Sequence, residues 1–311
     1  MKFPIHIPAA ADLDAVGFGT NAVDHLICVP RYPDFNSKVE LTAYEWTAGG
    51  EVASTMAGLR RLGLKTAYAG RFGDDEAGKL GIRSLTDEGV DMSYAEVVAG
   101  AETQLAFIVI DDRSGERTVI WRRDKKLAYS ADDAPVEAAS RCRVLHLTQH
   151  DTAAGIRMAR AAKLSKTIVS IDIDNVVEGV DDLLPLVDVC IASAEFPQKL
   201  LGISDHKTAL TELASRFGCA VTGLTLGEAG SLFLCGGSFF ETPGFVVPGG
   251  CVDTTGAGDA FRTGFLYGML TGESVEDSAV LANAVAALKC RSLGARAALP
   301  TSDEVKTMLK N

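Results

Sequence analysis

The sequence has 311 residues, 47% of them apolar and 23% charged, and a formal net charge of −11. An apolar fraction of that size supports a large core in a soluble protein. The acidic balance excludes a nucleic-acid or anionic-membrane partner, which would need a basic face, but not a nucleotide, because backbone amides and a metal can hold phosphate in an acidic protein.

The seven cysteines form no CxxC pair and mostly sit in apolar runs such as VDVCIA. Reduced thiols and a cytoplasmic location are expected. The opening MKFPIHIPAAADLD carries prolines, a histidine and acids, unlike a signal peptide. No run approaches the ~18 apolar residues of a membrane span.

Residues 1–14 read as an irregular lead-in, and the first strand is expected over Ala15–Gly19. Gly17, Gly19 and Ala22 satisfy GxGxxA, the dinucleotide pattern of nicotinamide-dependent enzymes. That pattern needs a helix directly after its glycines. Here HLICV is extended in character, and Pro30 and Pro33 follow, which no helix interior tolerates.

Lys38–Trp46 alternates as a strand outside the main sheet. Gly49 and Gly50 then open a helix whose apolar face is Val52, Met56, Leu59 and Leu62, with Gly63 as its C-cap. The run Gly73–Lys79 matches GxxxxGK, yet Leu80 stands where a P-loop needs Ser or Thr, and Asp74, Asp75 and Glu76 would face the phosphates. Residues 103–123 hold two strands, TQLAFIVID and ERTVIWRR, around a DRSG turn. Arg122 and Arg123 read either as a solvated strand end or as donors to an acidic substrate group.

From Arg143 onward strands and helices alternate: VLHLTQ, a helix over 152–163, TIVSIDID, a short helix near 181–186, VDVCIAS and a helix over 205–216. Strongly apolar strands in that rhythm predict a mostly parallel sheet covered on both faces. AVTGLTL leads through the turn GEAG into SLFL, as a plain hairpin would. Ser274–Arg291 is expected as a helix capped by Ser274 and Asp277.

Before that last helix lies Cys251–Phe265, CVDTTGAGDAFRTGF. A Gly-Ala-Gly turn enters a helix with Phe261, Phe265, Leu266 and Met269 on one face. First-turn amides lack intrahelical partners, and the helix dipole adds positive charge there. Gly256 and Gly258 leave those amides open to an anion. A carboxylate at Asp259 is unfavourable beside bound phosphate unless it accepts a proton, here from a hydroxyl attacking phosphorus. A lone GxGD is also an ordinary turn with a first-turn acid. The full run DTTGAGDAF, however, closely resembles the C-terminal motif of the PfkB (ribokinase-like) carbohydrate kinases.

The resemblance runs from about Ala15 to Pro300. GGEVASTMAGLRRLG is similar to the family's N-terminal motif, GRFGDDEAG to its GxxGxDxxG loop, and TLGEAG to its loop under the nucleotide phosphates. It implies a three-layer α/β/α Rossmann-like ribokinase fold, mostly parallel, in one kinase domain over residues 1–311. A small β-sheet lid would come from strands inserted at about 36–48 and 103–123, and would also serve a homodimer. The implied reaction moves the ATP γ-phosphate, with Mg2+, to a hydroxyl, expected to be a primary one, of a sugar or sugar derivative. A nucleoside kinase, or a non-catalytic sugar or nucleotide sensor, are alternatives on the same fold.

By the same resemblance Asp259 is the base, and the amides of Gly256, Ala257, Gly258 and Asp259 form the anion hole. Asp24, Gly49, Gly50 and Ser54 would meet the sugar, although Asp24 also reads as a turn acid. The family usually has Asn where this chain has Ser54, and a hydroxyl offers one donor instead of an amide's two. Thr225, Gly227, Gly256 and Gly258 would hold nucleotide phosphates, with Asn283 and Ala286 lining the adenine pocket. The family's Asn and Glu after VDVCIA, which help place magnesium, are not intact, and Glu195 is the remaining candidate. RSLGARAALP resembles a loop that surrounds a monovalent cation together with the DTT segment. Asp253 and Thr255, with carbonyls near Lys289, Ser292 and Gly294, would supply oxygens suited to K+; a C-cap turn at Gly294 is the plain alternative.

Overall fold

The structure is a computed structural model and describes residues 1–310. The first half of the chain runs β1 (Leu13–Phe18), β2 (Ala22–Val29), β3 (Ala43–Gly49), α1 (Glu51–Arg61), β4 (Thr66–Gly73), α2 (Glu76–Asp87), β5 (Asp91–Val98), β6 (Leu105–Asp111), β7 (Arg117–Arg122) and α3 (Val136–Ser140). Then follow β8 (Cys142–Thr148), α4 (Thr152–Leu164), β9 (Ile168–Ile173), α5 (Val180–Leu183), β10 (Val189–Ser193), α6 (Phe196–Leu201), α7 (His206–Phe217) and β11 (Val221–Thr225). The hairpin β12 (Ser231–Cys235) and β13 (Ser238–Thr242) precedes α8 (Ala257–Thr271), α9 (Val275–Lys289) and α10 (Ser302–Met308).

Nine strands form the main sheet in the order β13-β12-β11-β10-β9-β8-β1-β4-β5. Pairing is parallel from β11 to β5 and antiparallel at the β12–β13 edge. Side chains alternate between its faces. Phe18, Leu147 and Ile171 pack with Met158 of α4 and Leu210 of α7, whereas Ala15, Val144 and Ile191 pack with Met56 of α1 and Phe265 of α8 on the opposite face. Three layers result, because strands apolar on both sides need helices on both sides.

A second sheet of four strands, β3-β2-β6-β7, stands apart. One of its faces carries Asp24 together with Leu26, Cys28, Ala106, Ile108 and Ile110, which form a small core. The other face pairs His25 with Trp46 and Phe107, and Phe107 with Ile120. Trp46, Phe107 and Ile120 are exposed there, and His25 stacks on Phe107 with 4.8 Å between ring centres.

Several expectations shift in detail. The first strand begins at Leu13 rather than Ala15. The lid strand expected from about residue 36 starts at Ala43, because Asn36, at φ 59°, turns the chain beforehand. β2 belongs to the lid, where only the segments 36–48 and 103–123 were expected to contribute. Since a strand follows Gly19, the dinucleotide pattern lacks its helix. The GDDEAGK segment is no P-loop either: Asp75 caps α2, accepting from Gly78 N at 2.7 Å and Thr103 Oγ1 at 2.6 Å. A carboxylate already occupies that helix end.

Candidate active site

Gly256 is the N-cap of α8, at φ 75°, and no side chain caps the first-turn amides. Its left-handed backbone suits glycine. An added Cβ would also lie 2.8 Å from Ala295 Cα, so the turn packs directly on the C-terminal loop. The amide of Ala257 donates to Thr254 O at 3.1 Å. The expected anion hole therefore loses Ala257, because the tight turn consumes its N–H. The amides of Gly258 and Asp259 have no such partner among the described residues.

Asp259 follows that turn and is 9% exposed. Its carbonyl accepts from Thr263 Oγ1 at 2.9 Å and Thr55 Oγ1 at 3.3 Å, which fastens α8 to α1. Its carboxylate accepts a hydrogen bond from no described residue. Burial, and next the charge of Asp172, push its pKa up to about 7, against the pull of Arg262 and Arg117. Such a value suits a proton acceptor near neutral pH.

Arg262, one turn further along α8, is 3% exposed and reaches back beneath the turn. Its Nη2 donates to Ile191 O at 3.0 Å and lies 2.7 Å from Asp172 Oδ1. A Cβ on Gly258 would meet Arg262 Nη1 at 2.8 Å, so a guanidinium backs the free amides. Glu51, the first residue of α1, has a buried Oε2 with no hydrogen-bond partner, 3.7 Å from His150 Nε2. Burial and the carboxylates of Asp172, Asp259 and Asp174 hold its proton on. Sequence reasoning named none of Arg262, Asp172 and Glu51. Two signals were present: Arg262 is four residues from Gly258, on the same helix face, and Asp172 ends a parallel strand, where ligands of open α/β sheets gather.

On the side of the small sheet, Asp24 is 4% exposed on that sheet's inward face. A Cβ at Gly49 would fall 2.0 Å from its Oδ2, so glycine makes room for the carboxylate. Burial lifts its pKa to about 6, opposed by Arg296. No described residue donates to it. Gly50, at φ 94°, starts α1. Ser54 departs from the expected sugar contact: it is fully buried, and its hydroxyl accepts from Arg296 Nε at 3.3 Å. Arg296 also donates to Ser84 Oγ at 2.8 Å and Gly49 O at 2.5 Å. The short serine side chain leaves the guanidinium in contact with the backbone at Gly49.

Toward the other edge of the sheet, Thr225 ends β11 half-buried, its hydroxyl 3.5 Å from Ala192 O. Gly227, at φ 61°, starts a short turn with open space where a side chain would stand. Asn283 donates to Thr242 Oγ1 at 2.8 Å and Ala279 O at 3.2 Å, tying α9 to β13 and spending its amide N–H groups. Ala286 lies half-buried one turn later. At the end of β10, Ser193 Oγ is buried without a partner, and Glu195 is exposed two residues on. Among the described residues no group of three or more His, Cys, Asp or Glu is arranged to hold a metal. Magnesium keeps its waters and is carried chiefly by nucleotide phosphates, so it asks few ligands of a protein.

Asp253, Thr255, Lys289 and Gly294 do come together, but not as the expected oxygen cage. Asp253 accepts from Thr255 N and Gly294 N, each at 2.8 Å. Only a carbonyl near Lys289 was expected to serve, but its side chain turns inward and donates to Asp253 O at 2.8 Å. The ammonium already takes the Asp253 carbonyl and lies 3.9 Å from its carboxylate, and a second positive charge there would be repelled, so these residues do not fit K+. Ser292 is half-buried with no hydrogen bond from its side chain.

The lid reaches this segment directly. Arg117 Nη1 donates to Thr254 Oγ1 at 2.9 Å, and Thr254 N to Gly115 O at 3.1 Å. Arg123 pairs with Asp151 at 2.6 Å and Arg122 with Glu102. Those two arginines are struts and surface charge, each already matched by a carboxylate.

Among known proteins, the description of the pfkB family of carbohydrate kinases matches residues 15–302. An ATP-dependent ribose-1-phosphate kinase of Halopiger xanaduensis is 30% identical over 290 residues, covering 92% of this chain and 94% of that protein. A ribokinase of Haemophilus influenzae is 27% identical over 305 residues, 94% of this chain and 97% of the relative. The structure of Arabidopsis thaliana ribokinase complexed with ribose and ATP aligns at a TM-score of 0.81 and 25% identity, over 96% of this chain and 99% of that one. The layered sheet and separate lid are thus the ribokinase fold, and the chain belongs to the pfkB family of carbohydrate kinases.

Proposed function

We propose that the protein, acting as one kinase domain over residues 1–311, transfers the γ-phosphoryl group of ATP to a hydroxyl of a sugar or sugar derivative. One observation carries the reading. Two almost fully buried carboxylates, Asp24 and Asp259, accept no hydrogen bond from any described residue. Buried carboxylates without donors are costly, and an acceptor rich in hydroxyls supplies what both lack.

Asp24 orients the acceptor by accepting from its hydroxyls, with Gly49 and Gly50 shaping the backbone beside it. The attacking hydroxyl lies against Asp259, which takes its proton late, because phosphoryl transfer is largely dissociative and asks little basicity of the acceptor. The free amides of Gly258 and Asp259 neutralise charge on the transferred group, and donors of this kind are worth about 3 kcal/mol each. Arg262 strengthens that field from below. Magnesium, when bound with the nucleotide, spreads positive charge over its β- and γ-phosphates. Thr225 and Gly227 would hold the phosphates, Asn283 and Ala286 would line the adenine, and Glu195 would serve the magnesium through water. The lid, hooked to Thr254 through Arg117 and Gly115, keeps water from the reaction.

A phosphorylated acceptor is the second reading, favoured by Arg296. Among the described residues this buried guanidinium has only neutral hydrogen-bond partners, and it lies beside Asp24. Measuring ADP release over free sugars, nucleosides and sugar phosphates tests both readings. Acceptor-dependent release identifies a kinase and its substrate class. Binding of ATP and sugar with no release from any acceptor would make the protein a sensor.

The partners follow the same reading. The outward apolar face of the lid, with Trp46, Phe107 and Ile120, supports a homodimer formed through that face; Phe107→Glu is then expected to shift the molecular mass by light scattering from dimer to monomer. The acidic net charge of −11 favours no nucleic-acid partner. No helix of the described residues is long and apolar enough to cross a membrane. Free cysteines, all buried except Cys251, suit a reducing cytoplasm.

A further inference from the structure

Lys289 is the last residue of α9, and its side chain is fully buried. A buried ammonium is tolerated only where charge and hydrogen bonds compensate it. Here the compensation comes from one residue. Nζ donates to Asp253 O at 2.8 Å and lies 3.9 Å from Asp253 Oδ2, itself fully buried. The negative end of the α9 dipole adds to the same field. The Asp253 carboxylate is held in turn by Thr255 N and Gly294 N. The preceding peptide hooks onto the same helix end, with Val252 N donating to Cys290 O at 2.9 Å. Three residues after Asp253, Gly256 makes the turn that exposes the amides of Gly258 and Asp259.

We infer that Lys289 is a built-in monovalent cation: its ammonium does for Asp253 what a bound alkali ion would do, and so sets the backbone that enters the anion-binding turn. Ammonium and K+ are similar in size and both gather oxygen donors, so one can stand for the other. A tethered charge costs no ion binding. It also excludes a second cation, which like-charge repulsion would keep out. Lys289 is therefore a positioning residue, acting through Asp253 and not touching substrate. As far as turnover is concerned the inference rests on the kinase reading, whereas its thermal arm does not.

The test compares KCl, NH4Cl, NaCl and choline chloride at equal ionic strength. The wild-type protein without nucleotide is expected to melt at the same temperature in all four, and its turnover to stay within about twofold. A melting rise or an activation specific to K+ would overturn the inference, since a ligand that binds only the folded state raises its apparent stability. Lys289→Ala removes the ammonium and leaves room for an ion. In choline chloride it should melt lower and turn over ~10–100-fold more slowly, the range seen when groups supporting a metal's ligands are removed. K+ or NH4+, but not choline, should raise both. Wild-type behaviour of Lys289→Ala in choline, or no response to any monovalent cation, contradicts the inference. If Lys289→Ala fails to fold in every salt, the wild-type comparison decides alone. If no acceptor is ever phosphorylated, the kinase reading fails, while the melting comparison still tests Lys289.

Discussion

Arg262 and Asp172 form an ion pair of 2.7 Å between α8 and the end of β9, with side chains 3% and 12% exposed. It lies beside the carboxylate of Asp259 and moderates it. Asp172 raises the Asp259 pKa and Arg262 lowers it, with burial the larger cause, so that it stands at about 7. The ionised form is then present above pH 7, and kcat/KM is expected to fall on the acid side with a limb near that value. Arg262→Met should move this limb upward. It should also destabilise the fold by ~3–5 kcal/mol, because Asp172 is left buried without its partner. Adding Asp172→Asn should recover most of that stability. Kinetic pH profiles and denaturant melts of both variants check this; a limb near pH 4 in the wild type contradicts it.

The same carboxylates work against the fold at neutral pH. Asp24 and Asp172 are raised to about 6 and Asp259 to about 7, from an unfolded value of 3.8. The folded chain thus binds these protons more tightly than the unfolded chain. Their contribution to stability is complete below pH 3.8 and is lost as pH rises through 6 and 7. Asp259→Asn carries no charge to bury. It should be more stable than the wild type at pH 8, by up to about 4 kcal/mol, and the gap should narrow toward pH 4. Melting curves across that range decide; a variant less stable at pH 8 goes against the account.

Asp24 should report on the acceptor and not on ATP. A hydrogen bond to a charged group is worth ~1.5–3 kcal/mol. Asp24→Asn is therefore expected to raise the acceptor's KM by ~10–100-fold. Calorimetric titration with ATP should give the wild-type affinity. A loss of ATP binding with unchanged acceptor KM would place Asp24 elsewhere in the reaction.

How much of this was legible follows the range of each signal. The helical spacing of Val52, Met56 and Leu59 and of Phe261, Phe265 and Met269 placed α1 and α8, and all six residues are buried. Strand-helix alternation after Arg143 placed the parallel sheet. β2 was read as extended but not as part of the lid, because HLICV suits either sheet, and only pairing with β3 and β6 decides. The loss of Ala257 from the anion hole is a backbone hydrogen bond, invisible in residue type. Arg296 and Lys289 looked like a loop arginine and a helix-end lysine. Their inward turn depends on what Ser54 and Asp253 leave open, a matter of side-chain volume between segments far apart in the chain. α10 was overlooked although its capping box, Thr301 with Glu304, was readable.

The most direct measurement is single-turnover phosphoryl transfer by Asp259→Asn at pH 8, with ATP and a saturating acceptor. The account predicts unchanged binding of both ligands and transfer slowed by ~10²–10⁴-fold, the span of a lost general base. Transfer at close to the wild-type rate would show that the proton leaves by another route, and Asp259 would have no catalytic part.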